Sequence, residues 1–303
     1  MTADYYRKKT TDLLNNVEMP RSSGYTTALR NIGSIRNSGF ELQLDGRIID
    51  RAVKWDLGVN FSLNRSKVLV LSEDKDIFGG ELDNTILKDQ LNLMRVGEPM
   101  YVFYGYVEDG YDENGHIVYK NMDDDPAITA ADKTIIGDPN PDFLVNLTTA
   151  VSYKGFTLSA FFQSSIGNDI YSLSMAAQAY DYGYNGNTLR EVYYNHWTPE
   201  NPTAKYPNLD QTSYKMSDRF VYDGSFVRLK NLELAYDVPC ARNKFIKRAR
   251  VYVSAQNLFT ITSYPFWDPD INANGGGSSM IQGVDSYCYP SARTYTIGCR
   301  LTF

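Results

Sequence analysis

The sequence predicts an all-β fold, an antiparallel transmembrane β-barrel wall of about eight long strands, most of about 10 to 13 residues, against a soluble mode of about 5 to 6. Three observations predict it. Apolar and polar residues alternate with a period of two over long stretches. The connections between those stretches are short and long by turns, the pattern of a barrel with tight periplasmic turns and large outer loops. Tyrosine is abundant, 24 of 303 residues, as expected where amphipathic rings sit at two membrane interfaces.

The closing stretch, residues 293–303, reads RTYTIGCRLTF, with Tyr295, Ile297, Cys299, Leu301 and Phe303 on one face and Thr294, Thr296, Gly298, Arg300 and Thr302 on the other. In chain order, residues 1–12 form a first strand. From Asn37, Phe40, Leu42, Leu44 and Ile48 alternate with Glu41, Gln43, Asp45 and Arg47; after a turn at Asp50-Arg51, Val53, Trp55, Leu57, Val59, Phe61 and Leu63 share a face. The device returns across a turn at Lys154-Gly155, with Phe143, Val145, Leu147 and Val151 before it and Phe156, Leu158, Ala160 and Phe162 after it. In SFVRLKNLELAYDVP the apolar phase slips between Leu229 and Leu232, which predicts a β-bulge near Lys230-Asn231. VYVSAQNLF then sets Val251, Val253, Ala255 and Phe259 together. Short links at 49–52, 153–156 and 238–249 alternate with long ones at 68–142, 166–224 and 261–292. Counting polarity back from Phe303, the first strand rises, so the chain is expected to begin partway through a larger protein.

Composition excludes several classes. A net charge of −6 and the absence of any Lys/Arg stripe argue against nucleic-acid binding; the basic run KFIKRAR, from Lys244 to Arg250, reads as a solvated turn. No apolar run approaches the ~18 to 20 residues of a membrane helix. The first residues, MTADYYRKKTTDLL, lack the cationic start and apolar core of a signal peptide. Cys240, Cys288 and Cys299 are odd in number, and an extended chain would hold the last two roughly 35 Å apart, so free thiols are expected.

The runs NIGSIRNSGFELQL, NHWTPENPTAKYP, SFVRLKNLELAYDVP, VYVSAQNLFTITSYPFWDPD and YPSARTYTIGCRLTF, in this order, resemble the C-terminal part of the SusC/RagA family of TonB-dependent outer-membrane transporters of Bacteroidota. The resemblance implies a place in a barrel of about 22 strands around an N-terminal plug. It makes residues 1–303 the C-terminal portion, with plug, TonB box and signal peptide outside the chain. It implies import of oligosaccharides or peptides driven through TonB, a SusD-like surface lipoprotein as partner, and residence in the outer membrane. Phe303 resembles the terminal aromatic read by the barrel-assembly machinery.

The resemblance extends to a calcium-loop-like segment at 121–143, where Asn121, Asp123, Asp125 and Asp132 stand at ligand-like spacing for a hard cation. Pro126 occupies the position where the sharp turn wants Gly, which counts against the site. No other cofactor is expected. The connection 166–224 is rich in rings, among them Tyr171, Tyr180, Tyr182, Tyr184, Tyr193, Tyr194 and Tyr214. Such rings stack on sugars or touch peptides, or they pack a loop. Trp197, Tyr206 and Trp267, each within two residues of Pro or Asp, are the substrate-contacting candidates. His116 and His196 stand in separate loops with no nucleophile or zinc spacing around them, so no enzyme is expected. The alternatives are a soluble or surface β-sandwich that binds glycans through its tyrosine-rich loops, and a glycoside hydrolase.

Overall fold

Eight long strands pair in strict chain order, each antiparallel to the next. They are β1 (Thr2–Glu18), β2 (Thr27–Asp50), β3 (Val53–Leu71), β4 (Phe143–Tyr153), β5 (Phe156–Ile166), β6 (Phe226–Val238), β7 (Arg248–Thr262) and β8 (Thr294–Thr302). The computed structural model describes residues 1–18, 22, 24, 27–71, 75–83, 87–180, 187–240, 245–271 and 281–303. Tyr182, Tyr184 and Lys244 lie outside these. No helix among the described residues is long and apolar enough to cross a membrane; the strands are the crossing elements.

Direct cross-strand partners share a face, so the register can be followed as rows across the wall. One row runs Leu44, Val59, Leu147, Phe162, Leu229 and Phe259. Another, nearer the tight turns, runs Trp55, Val151, Leu158, Leu234, Val253 and Ile297. The opposite face is polar at the same heights: Gln43, Asn60, Asn146, Gln163, Arg228 and Thr260 form a single row. Leu234 and Val253 are about half exposed and Ile297 is 84% exposed. A continuous apolar face of this extent requires an apolar solvent. At the turn end the rings of Phe156 and Tyr236 lie 4.5 Å apart, where aromatic side chains mark the membrane interface.

Local chemistry sets the turns and irregularities. Lys154 and Gly155 both take positive φ, 48° and 87°, the requirement of the two-residue hairpin whose twist matches its strands. The expected bulge is Lys230: Phe161 pairs with Asn231 and the next residue, Phe162, with Leu229. On the polar face Tyr252 pairs with Gly298 and Tyr6 with Gly39, and in each case a Cβ on the glycine would collide with the tyrosine ring. The small residue lets the ring lie along the sheet, and Tyr6 Oη thereby donates to Asn64 Oδ1 at 3.2 Å, one strand further on.

Four expectations need correction. Ile48 does not hold the expected place in the register: a bulge between Arg47 and Ile49 leaves it unpaired and sets Ile49 opposite Trp55. The first connection does not begin at Val68. β2 starts at Thr27 and β3 runs to Leu71, and the first strand likewise continues to Glu18. Val68 and Leu71 pack with Ile35 and Met94 in a small core. A lipid crossing needs only about 9–11 residues per strand, so the 24 residues of β2 carry it well past the membrane.

Leu147 at mid-wall tests the assignment of faces. Leu147→Arg is expected to cost about 2–4 kcal/mol of barrel stability, whereas Asn60→Arg, on the polar face of the adjacent strand, costs little. Heat-modifiable gel migration of the complete protein checks both.

Candidate functional site

The largest apolar core lies outside the wall. The connections 72–142, 167–225 and 263–293 all leave the wall on the side away from the tight turns and contribute jointly to one cluster, which includes Phe103 and Tyr106, Tyr171 and Tyr180, and Val284. A three-stranded sheet joins Val221–Asp223, Asp169–Ser172 and Val284–Asp285, the last pair running parallel. These loops form a structured outer body with its own buried interior.

Buried polar groups tie the three connections together. Glu108 of the first accepts from Ser217 Oγ at 2.6 Å and from Arg219 Nε at 2.7 Å, both in the second. Arg219 also donates to Tyr111 Oη at 3.1 Å. Asn92, 1% exposed, donates to the carbonyls of Tyr101 and Gln282 at 2.8 and 3.0 Å and so joins the first connection to the third. Tyr264 Oη donates to Asp285 Oδ2 at 2.6 Å, with Ser172 Oγ at 2.9 Å as its other neighbour. Burial and the Asp285 carboxylate push the Tyr264 phenol well above its ordinary range, which keeps it a donor.

Arg228 is the most buried of several polar ties between this body and the wall, which also include Arg65 to Asp142 and Asn257 to the Ala292 carbonyl. Arg228 projects from β6 on the polar face and is 1% exposed. It donates from Nε to Thr260 Oγ1 at 2.9 Å, from Nη1 to Ser291 Oγ at 3.1 Å and to Asp270 at 3.3 Å, and from Nη2 to Asp268. Asp268 in turn accepts from the amides of Asp270 and Ser291, each at 2.9 Å. Both legs of the third connection are thus held by one guanidinium. Burial pushes the Asp268 carboxyl up, but the Ser291 and Asp270 amides and the Arg228 charge outweigh it and hold the group below the ordinary carboxylate range.

The candidate residues fare differently. Tyr206 is 3% exposed and packs in the central cluster. Its backbone is held between Asn195 and Trp197, as it donates to the Asn195 carbonyl and accepts from the Trp197 amide. As placed, its ring offers no face to a ligand, because the Pro-flanked segment that suggested an outer loop folds inward. Trp197 is half-buried and packs against Gly115. Trp267 is 57% exposed and stacks on Phe266, with centroids 4.7 Å apart and planes 19° apart. Of the other rings, Tyr180 stacks on Tyr214 at 3.7 Å while Tyr193 and Tyr194 stay exposed.

The acidic segment forms consecutive side-chain-to-backbone turns. Asp125 N donates to Asp123 Oδ1 and Ala127 N to Asp125 Oδ1. Asp132, fully buried, accepts from the amides of Met122 and Thr129, both at 2.7 Å. These oxygens aim at the segment's own amides, and among the described residues no three His, Cys, Asp or Glu side chains are grouped to hold a metal ion. His116 lies 2.8 Å from Asp210 and His196 2.8 Å from the Tyr193 carbonyl. Arg228 and the Glu108–Arg219 pair had one sequence signal, a charge at an inward position of an apolar strand for Arg228, and none for the pair.

The family described as TonB dependent receptor-like, beta-barrel matches residues 1–258. The chain belongs to this family. The TonB-dependent receptor P3 of Formosa agariphila is 32% identical across all of this chain and 32% of its own length. The TonB-dependent receptor SusC of Bacteroides thetaiotaomicron is 29% identical across 99% of this chain and 30% of its own. The RagAB peptide transporter superposes with a TM-score of 0.81 at 27% identity, over 99% of this chain and 33% of that one. The chain spans about a third of the length of these relatives. As a TonB-dependent receptor wall it stands in the outer membrane, apolar rows toward lipid and the Arg228 row toward the interior.

Arg228→Met would strand the buried Asp268 charge, at a cost of about 3–5 kcal/mol, and the double change with Asp268→Leu would recover most of it. Limited proteolysis within 263–293, with the wall still heat-modifiable, is the measurement. Because Asp268 has a depressed folded pKa, its contribution is present above the unfolded value of about 3.9 and is lost as pH falls below that toward the folded value. The same cleavage should therefore rise in wild type only in that acidic window.

Proposed function

We propose that this wall is the C-terminal portion of an outer-membrane transporter that imports oligosaccharides or peptides with energy delivered through TonB. The observation that carries the reading is the pairing of a lipid-facing eight-strand wall with an ordered outer body, a combination that superposes on the RagAB peptide transporter over nearly the whole chain. An outer body with its own core offers a fixed surface for capture, and the polar inner face offers a wet path. Kinship with SusC supports a SusD-like surface lipoprotein as partner at the outer mouth. Phe303, exposed at the end of β8, serves in this reading as the signal to the barrel-assembly machinery. The exposed Trp267 is the substrate-contacting ring that the geometry favours among Trp197, Tyr206 and Trp267. The protein carries out transport without catalysis, and its parent family is one of receptors.

Growth on peptides and on oligosaccharides as sole carbon source, with the gene intact, deleted, or intact in cells lacking TonB, tests this directly. Deletion and loss of TonB are expected to abolish growth on the same nutrient. Growth that survives loss of TonB but not deletion would contradict the reading.

A further inference from the structure

A cavity of about 520 Å³ opens between the second and third connections, beside the top of β7. Its volume falls within the range of about 300–1,000 Å³ typical of small-ligand pockets. Met175 of the helix α1 (Leu173–Tyr180), Leu189, Tyr222 and Phe266 give it an apolar floor. Phe266 is stacked on the exposed Trp267, so the aromatic surface continues out of the cavity toward solvent. Burial pushes the Tyr222 phenol up to about 12, which keeps it neutral at physiological pH.

The charged groups at this cavity are unequal. Lys205 Nζ and Glu191 Oε1 are 2.8 Å apart and neutralise each other. Arg190, at the start of the short helix α2 (Arg190–Tyr194), has a different neighbour: its guanidinium stands 5.5 Å from the centre of the Tyr194 ring. Among the described residues it makes no ion pair. Its planar fork of donors is shaped for a carboxylate, and the net charge of the lining is positive. No Asn, Gln or Asp lines the cavity. Glu191 and Lys205 already engage each other and Ser263 Oγ donates to Asp223 Oδ2 at 3.1 Å, so a sugar would have to compete with these pairings for its hydroxyl partners, whereas an apolar side chain on the floor needs none.

We propose that this cavity binds the C-terminal residue of a peptide whose last side chain is large and apolar, with that side chain on the Leu189–Tyr222–Phe266 floor and its carboxylate on Arg190. The proposal rests on the import function above and narrows the nutrient to a peptide.

The probes are an N-acetylated tripeptide ending in phenylalanine, the same tripeptide with a C-terminal amide, and maltohexaose, titrated calorimetrically into the complete detergent-solubilised protein. The acid should bind at least about tenfold more tightly than the amide, the scale of one charge-assisted pairing. Arg190→Gln should erase that gap, and Phe266→Ala should weaken acid and amide alike, with heat-modifiable migration confirming that each variant is folded. Equal affinity for acid and amide, a gap that survives Arg190→Gln, binding of maltohexaose in competition with the peptide, or no binding of the acid would each overturn the proposal. Import is scored separately in cells. TonB-independent import with the acid–amide gap intact would count against the transport reading and leave the site standing, and TonB-driven import without the gap would do the reverse.

Discussion

At membrane depth a backbone N–H or C=O has no water to bond, so each must find its partner in a neighbouring strand. Everything in the wall follows from that constraint. It favours strands that pair with their sequence neighbours, joined by turns as small as Lys154-Gly155. It confines irregularity to bulges of one or two unpaired residues, such as Ile48 in β2, Lys230 in β6 and Asn257-Leu258 in β7, with the ladder resuming on either side. It also moves the apolar core. A wall one strand thick with lipid on one side and an aqueous lumen on the other has no interior of its own, so the large buried cluster forms in the outer body, where three loops can close on each other.

The join between wall and outer body combines a small apolar contact of Ile35, Val68 and Leu71 with Met94 and a set of polar ties. Arg228 stands in the polar row of β6, and its guanidinium collects Asp268, Asp270 and Ser291 from one loop and Thr260 from the adjacent strand. A salt bridge buried so completely gives little net stability, because desolvation offsets most of the attraction. What it supplies is position: the legs of the third connection leave the wall at fixed points. That connection carries Trp267 on one leg and Val284 on the other, the latter paired to the second connection. The outer body thus holds a defined orientation over the lumen, and the cavity beside Arg190 has fixed walls.

Much of the wall could be read from the sequence because a two-sided environment writes a two-sided pattern. Trp55, Leu158 and Ile297 fall on one face by simple parity, and the phase slip in SFVRLKNLELAYDVP locates Lys230 before any coordinates. The pattern fails where the environment changes. Val68 to Leu71 are apolar without alternation because β3 has left the lipid and entered a core, so the strand is legible only to about Lys67. The outer body was least legible. No local pattern separates its buried tyrosines from its exposed ones, and tertiary packing sets both the burial of Tyr206 and the exposure of Trp267. The acidic segment reads as a cation loop by spacing, and its carboxylates accept from local amides, as short polar side chains do in turns. The partnership of Glu108 with Arg219, more than a hundred positions apart, leaves no local trace.

The central claim is that neighbouring residues along a wall strand face lipid and water by turns. Spin labels placed one at a time at 145–150 in β4 of the complete protein, with the native cysteines replaced by serine, test it most directly. Accessibility to oxygen, which concentrates in lipid, should peak at Val145, Leu147 and Thr149, and accessibility to a water-soluble nickel chelate should favour Asn146, Thr148 and Ala150. A profile without a period of two, or one with the two sets exchanged, would contradict it.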